Sequence, residues 1–303
     1  MTRLANATVL VTGGAGFIGS HLVDRFVADA EVRVLDDLST GRREHVHADA
    51  TLHVGDVRDE DVVREAMAGV DVVFHQAAIV SVDRSVEVPD ETHAVNVSGT
   101  LAVLEAARAA DARAVVASSA AIYGDPATVP IAESHAKKPL SPYGLEKFTV
   151  DEYARLYHDL YGLETVALRY FNVYGPRQRG GDYAGVIQAF REQVSAGGPL
   201  TVHGDGTQTR DFVHVADIVQ ANRLAATTDA TGTAFNIGTG DSISIQESAE
   251  LVSGLAGGDV PIEHVDAREG DIDRSCADIT AARNTLGYDP EVCLQEGLAD
   301  VIA

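Results

Sequence analysis

The segment that follows the first apolar run constrains the fold more than any other part of the chain. Thr8–Val11 predicts a buried strand, and Phe17–Ala28 has the apolar spacing of a helix. The connection between them carries Gly13, Gly16 and Gly19. Glycines at this spacing allow a tight turn, a close approach of phosphate to the backbone, and packing of the helix on the strand. The segment therefore predicts an α/β unit that binds a dinucleotide at a helix N-terminus.

The next strand ends in an acidic residue. Val32–Leu35 leads into Asp36, about twenty residues beyond the glycines, where a carboxylate suits the ribose hydroxyls of NAD and repels the 2′-phosphate of NADP. Arg42 and Arg43 follow closely and could offset that repulsion. We predict NAD as the cofactor, with NADP as the alternative.

The rest of the chain extends this unit into a Rossmann-type doubly wound parallel sheet. Strands and helices alternate from Thr8 to about Phe171, with further strands predicted at Leu52–Val57, Val72–Gln76, Ala114–Ala117 and Thr165–Arg169. Beyond Asn172 the pattern loosens into helices, short strands and glycine turns without a linker. We therefore predict an α/β fold with a smaller mixed α/β substrate-binding lobe packed on the sheet.

Tyr143 and Lys147 form a candidate acid–base pair. Ser141 predicts a helix N-cap and Pro142 the first helical position, so residues four apart lie one above the other on one face. The ordinary pKa of a phenol is about 10, and an ammonium held beside it in a cleft favours the phenolate. The same spacing is common on solvated helices, so the pair gains weight only together with the dinucleotide unit.

Several ordered motifs extend this pattern along nearly the whole chain, and with them the sequence resembles the extended short-chain dehydrogenase/reductase family. The likeness is to its NAD-dependent sugar-nucleotide epimerase/dehydratase branch, and within that branch to the UDP-glucose 4-epimerases. The segments that carry it are Thr12–Gly19, Leu35–Gly41, Gly55–Val57, His75–Ala78, Ser118–Ser119, Ile122–Gly124, Leu168–Pro176, Gly204–Phe212 and Arg268–Asp271.

The resemblance implies the residues of the cofactor site and the catalytic group. Ser119, Tyr143 and Lys147 correspond to the catalytic residues of the family. The implied cofactor-binding residues are these three with Gly13, Gly16, Phe17, Ile18, Gly19, Asp36, Asp37, Leu38, Ser39, Thr40, Gly41, Asp56, Val57, Gln76, Ala77, Ala78, Val80, Asn96, Tyr170, Phe171 and Val173.

The resemblance also implies a sugar-nucleotide site. Arg210 and Arg268 could grip a diphosphate with their guanidinium groups, although a surface arginine taken alone is more often an ordinary ion pair. A small residue at Ser275 would leave room beside the sugar C2 substituent and admit N-acetylated sugars. The implied substrate-binding residues are Ser119, Tyr143, Asn172, Val186, Thr201, Val202, His203, Arg210, Arg268, Asp271 and Ser275.

The two residues after Ser119 separate the reactions of this branch. Dehydratases that resemble the chain carry an acid pair there, whereas this chain has Ala120 and Ala121, which cannot move a proton. The resemblance thus implies 4-epimerisation of UDP-glucose and UDP-galactose, with their N-acetyl counterparts, through a 4-keto sugar. The alternatives are a uronic-acid 4-epimerase or 4-reductase of the same branch, or a non-catalytic NAD-bound scaffold.

The resemblance further implies domain boundaries and a homodimer. Residues 1–171 would form the NAD-binding Rossmann domain, to which 211–239 returns, and residues 172–210 and 240–303 would form the sugar-nucleotide-binding lobe. The helices expected at 91–109 and 143–161 would make the two-fold contact, because the second carries Phe148, Tyr153, Leu156 and Tyr157.

The charge of the chain bears on its partners and its environment. A formal net charge of −23 argues against nucleic acid. Together with scarce lysine, abundant alanine and aspartate and no tryptophan, it favours an enzyme of a high-salt cytoplasm. No signal peptide or membrane span is predicted. Cys276, Cys293, His45 and His47 do not make a metal site, so no metal is predicted.

Overall fold

The computed structural model describes residues 4–180, 185–258, 260–268 and 270–302, and the structural statements below concern these residues. The strands are β1 (Thr8–Thr12), β2 (Glu31–Asp36), β3 (Thr51–Val54), β4 (Val72–His75), β5 (Arg113–Ser119), β6 (Thr165–Tyr170), β7 (Asn172–Tyr174), β8 (Leu200–His203), β9 (Thr209–Arg210), β10 (Phe212–His214), β11 (Thr233–Ile237), β12 (Ile243–Ser244) and β13 (Ile262–Val265).

The helices cover the sheet and build the second lobe. They are α1 (Phe17–Phe26), α2 (Glu60–Met67), α3 (Val82–Glu87), α4 (Pro89–His93), α5 (Gly99–Ala110), α6 (Pro142–Tyr161), α7 (Val186–Ser195), α8 (Val215–Ala225), α9 (Ile245–Leu255) and α10 (Leu294–Ile302). Short 3₁₀ turns lie at Arg43–His45 and Ala120–Tyr123, and π-helical segments at Ala94–Ser98 and Ala282–Leu286.

The central sheet has seven parallel strands in the order β11-β6-β5-β4-β1-β2-β3. The order reverses between β1 and β4, so the sheet is doubly wound and the predicted Rossmann-type fold is confirmed. The strand predicted at Leu52–Val57 is shorter because the chain leaves the sheet after Val54, and the helix predicted at Phe17–Ala28 ends at Phe26.

Successive side chains of the buried strands point to opposite faces of the sheet, so the core has two layers. Val9 and Val11 of β1 pack with α1 residues such as Leu22 and Phe26 on one face. Leu10 packs on the other face with Val63 of α2 and Leu104 of α5. Because both faces are covered, the parallel strands read as continuous apolar runs.

Capping residues at both ends set the limits of α6, the helix that carries the candidate acid–base pair. The Ser141 hydroxyl accepts a hydrogen bond from the Gly144 amide at 3.1 Å, and Pro142 occupies the first helical position, as predicted. The helix ends at Gly162, whose φ is +71°. Its first turn is thereby fixed beside the carboxyl end of β5.

The second lobe combines segments that are distant in sequence. β8 pairs in parallel with β13, β9 pairs antiparallel with β12, and β7 pairs in parallel with β10. α7, α9 and α10 enclose a separate apolar cluster with these strands. Between the two segments of this lobe the chain returns to the central sheet, where β11 pairs with β6.

The longest helix of the described chain, α6, is amphipathic and carries several charged residues. Among the described residues, no helix has the length and apolar character needed to cross a bilayer.

Candidate functional site

A cleft of about 570 Å³ lies at the carboxyl ends of β1, β2, β4, β5 and β6, and we refer to it as the sheet-edge cleft. Its volume is in the range of small-molecule and cofactor sites, and its position is that expected for ligands of doubly wound sheets. The glycine connection after β1 forms one side of the cleft, and the first turn of α6 forms its inner end.

The glycine connection is shaped by close backbone contacts. Gly13 has a φ of +68°, and a Cβ atom there would lie 2.7 Å from the Ala77 amide nitrogen. A Cβ atom at Gly19 would lie 2.2 Å from the Gly13 carbonyl oxygen. The first-turn amides of α1 therefore face the cleft without side chains in the way, which suits a pyrophosphate.

Asp36 closes one end of the sheet-edge cleft. Its carboxylate accepts hydrogen bonds from the backbone amides of Ala15 at 2.9 Å and Leu38 at 2.8 Å. Burial raises the pKa of Asp36, and these two hydrogen bonds oppose the rise. The bonds fix the carboxylate and leave acceptor positions for ribose hydroxyls.

Nearly all the residues predicted to bind the cofactor line this cleft; the exceptions are Leu38, Gly41 and Asn96. Asn96 is buried in the π-helical segment, where its amide group donates to the Ile79 carbonyl at 2.9 Å and accepts from the Ile79 amide at 2.8 Å. It also donates to Glu146 at 2.6 Å. Asn96 thus holds the wall of the cleft from behind.

Ser119, Tyr143 and Lys147 meet at the inner end of the cleft. Ser119 ends β5, and its side chain hydrogen-bonds with Tyr143. The buried Lys147 ammonium donates to the Ala117 carbonyl at 2.8 Å. The structure therefore brings the predicted catalytic residues together, although they are 28 positions apart.

The proton affinities of this group follow from burial. Burial raises the pKa of Tyr143, the hydrogen bond with Ser119 lowers it, and the charge of Glu146 raises it. This direction is opposite to the lowering that we expected from Lys147. Burial also lowers the pKa of Lys147 to about 8, against the influence of Glu146. The surroundings of Tyr143 in the folded protein therefore favour its phenol form.

Ser118 places a buried hydroxyl at the cleft. The hydroxyl oxygen of Ser118 is buried and has no hydrogen-bond partner among the described residues, and Ser118 lines the cleft. A buried hydroxyl without a partner is destabilising, so a ligand with a polar group at this point would satisfy it. Together with the glycine cradle and the carboxylate of Asp36, this fits a nicotinamide dinucleotide.

A second cavity, of about 240 Å³, adjoins the sheet-edge cleft, and we call it the lobe cavity. Val173 and Gln178 line both spaces, so the two are neighbours. Among the predicted substrate residues, those that line the lobe cavity are Asn172, Val186, Thr201, His203, Arg210, Arg268 and Asp271.

Both predicted arginines reach the lobe cavity, and both are paired with carboxylates. Arg210 forms an ion pair with Asp271. Arg268 forms one with Asp83 of α3 at 3.0 Å, which joins the second lobe to the sheet domain. The Arg268–Asp83 pair is largely exposed, so it adds little stability and can exchange for an anionic ligand.

Val202 and Ser275 were also predicted to touch the substrate, but neither lines the lobe cavity or the sheet-edge cleft. Val202 points into the apolar cluster of the second lobe. Ser275 is 3% exposed, and its amide donates to the Thr209 carbonyl at 3.0 Å. Both residues support the walls from behind.

A family model described as the NAD dependent epimerase/dehydratase family matches residues 9–238. The chain belongs to this family. The match spans the glycine connection, the Ser119–Tyr143–Lys147 group and the return of the chain to the central sheet. NAD is accordingly the cofactor of the chain, and the chain is an enzyme of the epimerase type.

Individual relatives cover almost the whole chain. The UDP-glucose 4-epimerase of Mycolicibacterium smegmatis is 41% identical over 302 residues, which are 97% of this chain and 96% of that protein. The structure of UDP-glucose 4-epimerase from Thermotoga maritima with UDP-glucose has a TM-score of 0.94 and 36% identity and covers 97% of both chains. That of UDP-N-acetylglucosamine 4-epimerase from Methanobrevibacter ruminantium, in complex with UDP-N-acetylmuramic acid, has a TM-score of 0.95 and 35% identity and covers 98% of this chain and 97% of that one.

Several residues of this epimerase-family site were not predicted from the sequence. Arg58 lines the sheet-edge cleft and pairs with Asp56 at 2.5 Å, which lowers the pKa of Asp56. Arg179 lines it as well and donates to the Thr40 carbonyl at 2.6 Å. Arg179 follows the motif that ends at Pro176 by only three positions, and that proximity was the available signal.

Proposed function

We propose that the chain catalyses the NAD-dependent 4-epimerisation of a UDP-sugar, interconverting UDP-glucose and UDP-galactose. One observation carries the proposal: Ser119, Tyr143 and Lys147 meet in a dinucleotide-binding cleft that adjoins a cavity lined by Arg210 and Arg268. The relatives described above support both the reaction and the nucleotide. Ala120 and Ala121, in a 3₁₀ turn after Ser119, argue against a dehydratase because neither side chain transfers protons.

The residues of the sheet-edge cleft suit NAD in a defined orientation. The amides at the start of α1 would hold the pyrophosphate, Asp36 a ribose, and Lys147 with Ser118 the nicotinamide half. When bound, NAD supplies the group that takes up a hydride from the sugar and returns it.

The chain's own residues then manage the proton. Tyr143 takes the proton of the sugar 4-hydroxyl as the C4–H bond breaks, and the cation of Lys147 favours the phenolate that this requires. Ser119 donates a hydrogen bond to the oxygen that becomes a carbonyl. After the 4-keto sugar has turned over, Tyr143 returns the proton to that oxygen, and the product differs from the substrate only at C4.

The lobe cavity supports the binding of the nucleotide. Arg210 and Arg268 would exchange their carboxylate partners for the diphosphate, and Thr201 and His203 would lie beside the base. Because these contacts hold the diphosphate and the base rather than the sugar, the sugar is free to present either face of C4 to the cofactor.

The test is conversion of UDP-galactose by purified protein, followed by chromatography. We expect UDP-glucose to form without added NAD, because the cofactor ends each cycle unchanged. Tyr143→Phe should slow the reaction roughly 10²- to 10⁴-fold with NAD retained. Conversion of a UDP-uronic acid alone would indicate the uronic-acid 4-epimerase, net consumption of NADH a 4-reductase, and absence of any turnover a scaffold.

We further propose that N-acetylated UDP-sugars are accepted. The Methanobrevibacter ruminantium neighbour supports the idea by its name. Ser275 and Cys276 are small but buried, so any effect they have on the pocket acts through the wall that they support. Because Ser275 is buried behind the wall rather than in either cavity, Ser275→Tyr would push that wall inward, and it should reduce activity on UDP-N-acetylglucosamine more than activity on UDP-glucose. Wild-type protein that converts only UDP-glucose would contradict this proposal.

We also propose that residues 1–171 and 211–239 form the NAD domain and that residues 172–210 and 240–303 form the substrate lobe. We propose in addition that the protein is a homodimer. Tyr157 is buried and Phe148 packs on the core, so the support comes from Leu145, Leu156 and Leu160, which are exposed along one side of α6. A monomer in light scattering at micromolar protein would contradict the dimer.

Adaptation to a high-salt cytoplasm is proposed from the charge of −23. Unscreened repulsion between carboxylates should lower the melting temperature as salt falls from about 2 M to 0.1 M, over which the Debye length grows to about 10 Å. An unchanged melting temperature would argue against it.

A further inference from the structure

Glu146 is a buried carboxylate on the turn of α6 that carries Tyr143 and Lys147. It is 4% exposed, and its oxygens accept hydrogen bonds from the Thr92 hydroxyl at 2.7 Å and the Asn96 amide at 2.6 Å. Both donors are neutral. A carboxylate buried with only neutral partners is unfavourable unless its charge is balanced nearby.

The adjacent buried cation is Lys147. Its ammonium donates to a neutral carbonyl, that of Ala117 at 2.8 Å. An ammonium in such a place tends to lose its proton, because burial disfavours its charge. Glu146 and Lys147 are therefore complementary charges, one on each side of the wall of the sheet-edge cleft.

Other titratable and charged groups come from the elements packed on α6. Those that are buried or paired with one another are Arg84 of α3, Glu91 of α4, Glu105 and Arg108 of α5, Arg113 of β5, Tyr123 after β5 and Arg169 of β6, with Asp151 on α6 itself. Asp83 and Glu87 of α3 and Asp90 and His93 of α4 are exposed. His75 of β4 is near enough for the charge of Lys147 to lower its pKa. Arg84 pairs with Glu91 at 2.8 Å, Arg108 with Glu105 at 2.6 Å, Arg113 with Glu164 at 2.5 Å, and Arg169 with Asp151 at 2.8 Å. These pairs largely neutralise themselves, which leaves Glu146 to balance Lys147.

We propose that Glu146 is a positioning residue that acts by its charge: it keeps Lys147 cationic, orients Asn96, and so sets the pH range in which Tyr143 can exchange a proton. The proposal deepens the epimerase function and rests on it for its kinetic test. In the folded protein the charge of Glu146 raises the pKa of both Tyr143 and Lys147, although burial has the larger effect on each.

Glu146→Gln separates charge from hydrogen bonding. The glutamine carbonyl can accept from Asn96, and its amide can donate to Thr92, whose hydroxyl then donates to the Pro89 carbonyl at 3.1 Å. Every local hydrogen bond is kept and one negative charge is removed. Both limbs of the kcat–pH profile should move to lower pH by about one unit, because loss of a nearby anion eases deprotonation of the phenol and of the ammonium.

Glu87→Gln is the matched control, because it removes the same charge from an exposed side chain of α3. Its profile should remain that of the wild type. A profile for Glu146→Gln that matches the wild type, with the fold and bound NAD intact, would show that Glu146 only anchors hydrogen bonds, and would overturn the proposal.

A measurement without substrate separates this proposal from the proposed function. In ¹³C-tyrosine-labelled protein, with the Tyr143 signal assigned by Tyr143→Phe, the phenol should titrate at lower pH in Glu146→Gln than in the wild type. A wild type inactive on every nucleotide sugar would refute the epimerase, while this titration would still decide the role of Glu146. If Glu146→Gln does not fold, the ¹³C carboxyl signal of Glu146 in the wild type decides: an ionised group at pH 7 supports the proposal and a protonated one overturns it.

Discussion

His75 makes the stability of this fold depend on pH in a way that can be calculated. The side chain is fully buried at the end of β4, and burial lowers the pKa of His75 to about 3, with a smaller contribution from the charge of Lys147. Its two ring nitrogens lie 2.7 Å from the Thr12 hydroxyl and 2.9 Å from the Thr100 hydroxyl.

The neighbouring hydrogen bonds fix which nitrogen carries the proton. The Thr100 hydroxyl donates to the Asn96 carbonyl at 2.6 Å, so it must accept from Nε2 of His75. Nδ1 is then the acceptor for Thr12, whose oxygen in turn accepts from the Ala77 amide at 3.3 Å. A second proton, on Nδ1 of His75, would remove the acceptor of the Thr12 hydroxyl, so the ring stays neutral in the folded protein.

The magnitude follows from linkage between proton binding and folding. The unfolded chain gains a proton at its ordinary pKa of 6.5, whereas the folded chain does not until about 3. The stabilisation is therefore present above pH 6.5 and is lost as the pH falls, by about 1.4 kcal/mol per pH unit. Between pH 7 and pH 5, His75 should lower the free energy of unfolding by about 2 kcal/mol.

Urea unfolding at pH 7 and pH 5, at constant salt and saturating NAD, measures this loss in the wild type and in His75→Gln. Burial lowers the pKa of His21, His45 and His214 too, and these residues respond equally in both proteins. His75→Gln should be less stable at pH 7 but should lose about 2 kcal/mol less than the wild type on acidification. Equal losses in the two proteins would refute the reasoning.

Three further predictions concern the ligand sites. Gly13→Ala should release NAD and lower the melting temperature, because its Cβ atom would lie 2.7 Å from the Ala77 backbone. Gly69→Ala is the control, since Gly69 has a similar φ of +71° but no atom within 4 Å of the added Cβ atom. It should lose only the roughly 1–2 kcal/mol that a positive φ costs a residue with a side chain, and it should keep NAD. Arg179→Ala should raise the NAD dissociation rate roughly 10-fold in a stopped-flow chase, because the cleft wall at Thr40 loses the charged hydrogen bond that holds it; an unchanged rate would contradict this. Arg210→Ala or Arg268→Ala should raise KM for UDP-galactose by about 10- to 100-fold with kcat nearly unchanged, because the lost contacts bind ground state and transition state alike; a loss confined to kcat would exclude diphosphate binding.

The sequence predicted the site best where the functional residues are close together in the chain. Gly13, Gly16, Gly19 and Asp36 belong to one strand–helix–strand unit, so their meeting in one cleft follows from local structure alone. The same holds for Tyr143 and Lys147, whose four-residue spacing on a helix fixes their relation.

The sequence was less informative where burial decides the role of a residue. Asn96 was predicted to contact the cofactor, yet its side chain is satisfied by the Ile79 backbone and Glu146 behind the wall. The pKa of Tyr143 rises because desolvation exceeds the other influences, and desolvation depends on the complete fold. Glu146 itself lies on the buried face of α6 at a helical spacing from Tyr143, and that spacing was the signal for its burial.

The return of the chain to the central sheet has a consequence for synthesis. A nascent chain that has emerged only as far as Ala230 possesses β6 but not β11, its parallel neighbour. β8 likewise waits for β13, the strand Ile262–Val265, about sixty residues later. β6 therefore lacks its neighbour β11 until about Ile237 has left the ribosome, and β8 lacks β13 until about Val265 has done so. Unpaired strands of this kind invite association with other chains. Translation speed over residues 231–265 therefore sets how long the unfinished protein is exposed to aggregation.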